Sequence, residues 1–329
     1  MKNSRVAIWM TAGALLLAAQ AFSQSDKAGV PGDRSSSLGR DAGGKGRAVV
    51  TVLAKQHGVV PANVSLQDVS IKVNGKPAIV TSWAALRGPD SRLELVLLID
   101  SSARSSLGTQ FNDIEHFVNG LPPNTKAAIA YMMNGRAVFA GPLTADHAQV
   151  LRALHLPGGS PGSSASPYFC LSDLAKNWPS GDRGARREVV MVTDGVDNYE
   201  RRLDLDDPYV QDAINDSVRA GLVVYAIYWQ NQGLADNSMY ANNTGQSLLN
   251  EVADATGGKN LWQGIGAPVS FQPFFEELAR RLGNQYELGF SARLDGNAAI
   301  ETLKLKVGGL TVEVTAPQKV FVDRAGAAE

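Results

Sequence analysis

Two aspartates in the sequence each follow a run of apolar residues. Asp100 comes directly after residues 93–99, and Asp194 comes directly after residues 188–193. Such continuous runs are typical of parallel strands that are covered by helices on both faces of the sheet. Ligands of these sheets bind at the carboxyl ends of the strands, so both carboxylates are expected at one edge. With the hydroxyl of Ser102, two residues after Asp100, they would form an oxygen-ligand site for Mg²⁺ or Mn²⁺.

The sequence around these aspartates resembles the von Willebrand factor type A fold, through the motifs VLLIDSS and VVMVTDG. The flanking segments VSLQDVSIKVNGKPAIVTSW, LNEVADATGG and NQYELGFSARLDG resemble the exported VWFA-related acidobacterial domain family. This likeness covers most of residues 48–322. It implies an α/β fold with a three-layer, doubly wound, mostly parallel sheet of the Rossmann-like kind. It also implies a protein-interaction or adhesion module.

The resemblance implies a metal-ion-dependent adhesion site with the pattern D-x-S-x-S on one loop, a Thr on a second and an Asp on a third. Asp100, Ser102 and Asp194 match three of these positions. The loop expected to carry the Thr has none, and Ser166 is the best substitute, with Ser160 and Ser164 as other choices.

Arg104 stands where the adhesion site has its second Ser. A guanidinium group is no metal ligand and keeps its positive charge, so it would oppose a divalent cation nearby. We therefore predict a degenerate site, with no cation or with weakly bound Mg²⁺ or Mn²⁺, in which Arg104 pairs with Asp100 or Asp194. Two alternatives remain: Arg104 points to solvent while Ser105 or Ser106 reaches inward, or Asp100 only caps the next helix.

The order of the elements predicts an α/β domain that is inserted into a small β subdomain. Strand and helix patterns alternate over residues 91–284, which is typical of an α/β sheet. Short β runs occupy residues 47–90 and 285–324, so both chain ends are expected to form the subdomain. Residues 24–46 are polar, rich in Gly and Ser and without periodicity, and are predicted to be a disordered linker.

Residues 1–23 are predicted to be a signal peptide, with Lys2 and Arg5 followed by an apolar run and small residues. A membrane anchor is the alternative, but the run is shorter than the ~20 residues that a spanning helix needs. The mature chain is expected to have no membrane span and to be periplasmic, on the cell surface or secreted. The net charge of −1 gives no reason to expect a nucleic-acid partner.

Enzymatic activity is not expected, although residues 158–162 match the pattern G-x-S-x-G around Ser160. A nucleophilic serine of that kind needs a strand before it and a helix after it, and its histidine follows in the chain. Here all four histidines precede Ser160. Cys170 is predicted to be a buried apolar residue rather than a reactive thiol. A protein partner is expected, and the connection at residues 230–245 is the best contact surface outside the adhesion site.

Overall fold

The computed structural model describes residues 43–55, 63–88, 91–103, 105–160, 163–199, 206–230, 239–264, 266–294, 296, 298–308 and 312–324. These residues all belong to one of the two units of the chain, Asp41–Glu329. The predicted signal peptide and Arg104 lie outside the described residues, as does most of the predicted linker.

Strands and helices occupy most of the described ranges. The strands are β1 (Gly43–Ala54), β2 (Val69–Val73), β3 (Lys76–Ala85), β4 (Leu93–Asp100), β5 (Lys126–Met133), β6 (Arg136–Phe139), β7 (Arg186–Thr193), β8 (Leu222–Tyr228), β9 (Asn260–Leu261), β10 (Gln285–Arg293), β11 (Ala298–Val307), β12 (Val312–Thr315) and β13 (Lys319–Arg324). The α-helices are α1 (Phe111–Asn119), α2 (His147–Arg152), α3 (Pro167–Lys176), α4 (Pro208–Ala220), α5 (Met239–Thr256) and α6 (Gln272–Leu282). Two 3-10 helices, Leu66–Asp68 and Ser105–Gln110, complete the elements.

The middle of the chain forms a sheet with the strand order β6-β5-β4-β7-β8-β9. All neighbours in it are parallel except β6, which runs antiparallel to β5. Leu97 on β4 packs into a core with α1, α2 and α6, while its neighbour Leu98 packs into a core with α3, α4 and α5. Because alternate side chains face opposite helix layers, every residue of β4 is buried. The predicted α/β sheet between two helix layers is confirmed.

Both ends of the chain contribute to a second, antiparallel sheet. Its order is β10-β3-β2-β11-β13-β1-β12, and β1 also pairs with β10, so the sheet closes on itself. Val50, Val52, Leu288 and Phe290 fill its interior. The prediction that both chain ends share one β module is confirmed at this level, while the division into domains stays a prediction.

Strand β1 begins at Gly43, which corrects the predicted end of the disordered linker at residue 46. Residues 43–46 read GGKG, a composition that indicated a linker. In the structure they pair with β10, from Gly43 opposite Arg293 to Gly46 opposite Phe290. A Cβ atom at Gly46 would lie 2.3 Å from Cζ of Phe290, so this glycine lets the aromatic ring cover the strand. The glycines therefore serve packing rather than flexibility.

Candidate functional site

Asp100 is held at the carboxyl end of β4 by hydrogen bonds from neutral groups. Its Oδ1 accepts from the backbone nitrogen of Ser102 at 2.9 Å and from the Ser102 hydroxyl at 2.6 Å. Its Oδ2 accepts from Oγ1 of Thr193 at 2.9 Å, and the side chain is only 3% exposed. The carboxylate is thus fixed in position, with the Ser102 hydroxyl directly beside it.

Thr193 connects the two strands that end at the site, and sequence analysis did not select it. Its hydroxyl donates to Asp100 and accepts from the backbone nitrogen of Gly195 at 3.3 Å. β4 and β7 are paired in parallel with Ile99 opposite Val192, which sets Thr193 beside Asp100. The Thr directly before Asp194 was the available sequence signal, but its role depends on the strand register.

Asp194 lies on the loop directly after β7, where its Oδ1 accepts from the backbone nitrogen of Val196 at 3.0 Å. It is 4% exposed. Gly195 has φ of 71° and comes so close to α5 that a Cβ atom there would lie 2.6 Å from the carbonyl oxygen of Gly245. Glycine is required by this conformation and by this contact, so the short loop presents Asp194 in a defined position. Asp100 and Asp194 therefore lie at the same edge, as predicted.

Ser166 is a helix cap that is bonded to a different aspartate. Its oxygen accepts from the backbone nitrogen of Tyr168 at 3.3 Å at the start of α3. Its hydroxyl donates to Oδ2 of Asp197 at 2.9 Å. Asp197 belongs to the same loop as Asp194 and was also not selected from the sequence. The structure thus brings Ser166 to the loop after β7, through Asp197.

The two other serines of this loop differ strongly in exposure. Ser164 is fully buried, and its hydroxyl has no hydrogen-bond partner in the described part of the chain. Ser160 is exposed and lies in a stretch without helix or strand. Within the described ranges no hydrogen bond joins Ser160 to a histidine. The geometry that a hydrolytic serine needs is therefore not found around Ser160.

The carboxyl edge of the sheet carries negative charge. This charge contributes to the raised pKa values of buried residues beside it. Burial, and after it the charge of Asp194, raise the pKa of Tyr228 to about 12. Burial also raises the pKa of Tyr168, with contributions from Asp194 and Asp197, among other acids. Burial and then the charge of Asp100 raise the pKa of Cys170, so its thiol stays protonated, as expected of a buried apolar residue. A positive charge at this edge would offset the repulsion.

The donor set at the edge fits a hard cation in type but is short of carboxylates. Asp100, Asp194 and the Ser102 hydroxyl are oxygen donors, as Mg²⁺ and Mn²⁺ prefer. Among the residues that the structure describes, no group of three or more His, Cys, Asp or Glu side chains is placed to hold a metal. Additional ligands would have to be hydroxyls, backbone oxygens or water.

Exposed apolar side chains surround this edge of the sheet. Met133 ends β5, and Met239 and Tyr240 begin α5, the helix that follows β8. The others lie in the connections that follow β7 and β9 and in those leading to α3 and α6: Leu156, Tyr199, Trp262 and Val269. The other large exposed apolar residues in the described ranges are Leu66, Ile79 and Val138. Exposed apolar groups that collect on one face mark interaction sites more often than scattered ones do. We call this set the apolar rim.

The connection predicted at residues 230–245 is shorter than expected. α5 begins at Met239 and not near Gln246, so Asn242, Thr244 and Gly245 are buried in its first turns. The polar Asn and Gln residues masked the helical periodicity of this segment. In the described part of this segment Gln230 is buried, whereas Met239 and Tyr240 are exposed at the start of α5.

Among the described residues, no helix combines the length and the apolar composition needed to cross a bilayer.

No family model matches the chain, and no curated protein matches it by sequence. Solved structures do resemble it. An aerotolerance-related membrane protein from Bacteroides fragilis is 15% identical, with a TM-score of 0.41, over 58% of this chain and 98% of that chain. Proximal thread matrix protein 1 from the mussel byssus, described with a zinc-occupied MIDAS motif, is 14% identical, with a TM-score of 0.45, over 65% of this chain and 50% of that chain. The pilus adhesin SpaC from Lactobacillus rhamnosus GG is 10% identical, with a TM-score of 0.43, over 83% of this chain and 49% of that chain.

These likenesses are distant, and the strand order with its antiparallel β6 is what carries the fold. Asp100 ends β4, and Asp194 directly follows the adjacent parallel strand β7, as the apolar runs in the sequence predicted. The predicted α/β fold with a mostly parallel sheet is confirmed.

Proposed function

We propose that this chain is an exported, non-enzymatic protein-interaction module that binds a protein partner at the carboxyl edge of its parallel sheet. The observation that carries the proposal is the apolar rim, which gathers most of the exposed large apolar residues of the described ranges around Asp100 and Asp194. Exposed Tyr, Trp and Met side chains are enriched at protein interfaces, where they supply contact area. Export to the periplasm, the cell surface or the medium rests on residues 1–23.

The adhesion site is proposed to be degenerate, with Arg104 providing the positive charge that a cation would provide in an intact site. The proposal is supported by the negative charge of Asp194, which contributes, after burial, to the raised pKa values of Tyr168 and Tyr228. Arg104 is two residues from Ser102, and its charge does not titrate in proteins. Asp100, four residues before Arg104, and Asp194, after the neighbouring strand, are the carboxylates with which we propose that it pairs.

An alternative is that the site still binds Mg²⁺ or Mn²⁺ weakly. Asp100, Ser102 and Asp194 would then hold the ion, with Ser166 as the substitute for the missing Thr. The bound ion would offer a coordination position to an acidic side chain of the partner. The position of the Ser102 hydroxyl, 2.6 Å from Oδ1 of Asp100, favours this alternative because it places two oxygen donors side by side.

Calorimetric titration with Mg²⁺ and Mn²⁺ separates the two versions of the site. We expect no measurable binding to the wild-type protein and a gain of binding in Arg104→Ser, because the substitution removes the opposing charge and restores the D-x-S-x-S pattern. Adding Asp100→Ala to that variant should abolish the gain. Arg136→Ser, which removes an exposed arginine from β6, is the charge-matched control. Tight Mg²⁺ binding by the wild-type protein would contradict the loss of the metal.

Partner capture tests the binding face itself. We expect a protein that is captured from envelope extract by the wild-type chain to be lost with the double variant Met239→Ser and Trp262→Ser, which lie on the apolar rim at 66% and 49% exposure. Ile79→Ser is the control, because Ile79 is 70% exposed on the antiparallel sheet. Equal capture by the rim variant and by the wild type would refute the proposed face.

A further inference from the structure

An apolar groove of about 990 Å³ opens at the amino edge of the parallel sheet, opposite the edge that carries Asp100. Its walls are α1 and α6, and apolar side chains line it: Leu86, Leu93, Phe117, Leu121, Phe275 and Leu282. Phe117 and Phe275 stack at a centroid distance of 4.5 Å on the inner side of the two helices. The volume lies at the upper end of the usual range for small-molecule sites.

Three residues that line the groove each carry a buried polar atom for which the described part of the chain provides no hydrogen-bond partner. The atoms are Nε of Arg186, Oγ1 of Thr125 and Oγ of Ser91. Arg186 and Thr125 lie at the amino ends of β7 and β5, and Ser91 lies two residues before β4. Buried polar groups in proteins are nearly always paired, so three unpaired donors in one groove call for an acceptor.

The guanidinium group of Arg186 is also buried, and it forms no ion pair with a carboxylate of the described residues. It is 8% exposed, and its Nη1 donates to the carbonyl oxygen of Leu282 at 3.0 Å and to the side-chain oxygen of Gln285. No acidic side chain of the described ranges forms an ion pair with it. The charge of Arg186 acts on the buried Glu188, two residues along β7, but no hydrogen bond joins the two side chains in the described ranges. A buried charge whose hydrogen bonds are incomplete costs free energy, and an anionic ligand would lower that cost.

The acidic residues of the groove are committed elsewhere. Oδ2 of Asp113 accepts hydrogen bonds from Ser270, Phe271 and Gln272 at the start of α6. Glu276 accepts from the side chain of Gln272 at 2.9 Å. The groove thus offers an apolar wall together with a buried guanidinium group whose Nε has no hydrogen-bond acceptor in the described ranges, and this combination suits an amphipathic anion.

We propose that this groove binds a small apolar carboxylic acid, such as a fatty acid of medium length, as its carboxylate. The carboxylate lies against Arg186, where the side chains of Thr125 and Ser91 donate to it. The hydrocarbon chain lies along Phe117 and Phe275 between the two helices. The groove is separate from the carboxyl edge. A test of ligand binding in the groove is therefore independent of a test of partner binding at that edge.

Calorimetric titration of the purified protein with decanoate, decanol and decylammonium tests the proposal. We expect decanoate to bind roughly tenfold or more tightly than decanol, because a hydrogen bond to a charged group contributes about that much. Decylammonium should bind most weakly, because it is positively charged, as Arg186 is. The proposal is overturned if decanoate does not bind up to millimolar concentration, or if decanol binds as tightly as decanoate.

Two variants locate the site. Arg186→Met should reduce decanoate binding to the level of decanol and leave decanol binding unchanged. Ala279→Phe, which fills the groove from α6 without touching the arginine, should abolish binding of both ligands. Arg152→Met is the control for a lost positive charge, because Arg152 is exposed on α2. If Arg186→Met does not fold, the proposal is still tested by the binding of the three ligands to the wild-type protein and by the Ala279→Phe variant. Undiminished decanoate binding in Ala279→Phe would place the ligand elsewhere and overturn the proposal.

Discussion

Two buried carboxylates on neighbouring strands, Asp100 and Glu188, differ in the hydrogen bonds that they accept. Asp100 accepts three hydrogen bonds, two from Ser102 and one from Thr193. Glu188 on β7 is fully buried, and neither of its oxygens makes a well-formed hydrogen bond within the described part of the chain. Burial raises the pKa of Glu188 to about 7, opposed by the charge of Arg186 and by Gln285. One carboxylate is therefore prepared for a role in binding, and the other is a weak point of the core.

Glu188 should make the folded protein less stable as the pH rises. The pKa in the folded state, about 7, lies above the ordinary 4.5, so the folded protein holds this proton more tightly than the unfolded chain does. Its contribution to stability is complete below the ordinary pKa, falls as the pH rises towards 7 and is lost above it. We expect Glu188→Gln to increase the free energy of unfolding at pH ~8 by up to roughly 3 kcal/mol and to flatten its pH dependence. Urea unfolding over a pH series measures both effects.

Glu94→Gln is the matched control for this prediction. Glu94 is equally buried, on β4, but it accepts from Nε1 of Trp178 at 2.8 Å and lies 3.6 Å from Nζ of Lys126. Removing its charge should lower stability, because Lys126 then loses its partner. If Glu188→Gln destabilises the protein as Glu94→Gln does, the conclusion that the Glu188 carboxylate lacks well-formed hydrogen bonds is wrong.

At the level of elements, α6 depends on a neighbouring helix for its first turn. The residue before it, Phe271, provides no capping side chain. Asp113 of α1 does so instead, because its Oδ2 accepts from the backbone nitrogens of Phe271 at 2.8 Å and Gln272 at 3.2 Å. The cap fixes the spacing of the two helices that form the groove.

Asp113→Ala should therefore lower the free energy of unfolding by about 1–2 kcal/mol, as the loss of a helix cap does. Denaturant titration followed by circular dichroism measures the loss. Glu115→Ala on the same helix is the control, because Glu115 is exposed and should tolerate truncation with little change. Equal losses in both variants would show that helix propensity or charge, and not the cap, is responsible.

In the described part of the molecule, a buried arginine connects a helix of the α/β sheet to the antiparallel sheet. Arg281 of α6 is 1% exposed, and its Nε contacts Glu277 on the same helix at 2.8 Å. Its other nitrogens reach Glu313 at 3.3 Å and Thr315 at 3.2 Å, both on β12. Arg281 thus adds to the contacts between the two sheets, such as the hydrogen bond from Arg186 on β7 to Gln285 on β10.

Arg281→Met should cost about 2–3 kcal/mol of stability, because it removes the hydrogen bonds of a buried guanidinium group to Glu277, Glu313 and Thr315. Arg280→Met is a close control: Arg280 contacts the same Glu277 at 2.5 Å, but its side chain is 37% exposed. We expect that variant to lose less than about 1 kcal/mol, as exposed ion pairs do. Thermal unfolding of both variants makes the comparison, and similar losses would refute the coupling through Arg281.

The sequence by itself determined the elements that depend on local pattern. The apolar runs before Asp100 and Asp194 are continuous because both faces of those strands are buried, and that requirement is visible in the residue types alone. The same runs fixed where each strand ends, and hence that both carboxylates lie at one edge. The likeness to the adhesion-site pattern then identified Ser102 beside them.

Only the tertiary structure decided which residues meet across the chain. Thr193 reaches Asp100, and Ser166 reaches Asp197, because of strand register and loop geometry that composition does not encode. The start of β1 at Gly43 was hidden because glycines that admit the ring of Phe290 have the composition of a linker. Such contacts join residues far apart in sequence. Their partners are set by how sheets and helices pack together, and not by the periodicity of any one segment.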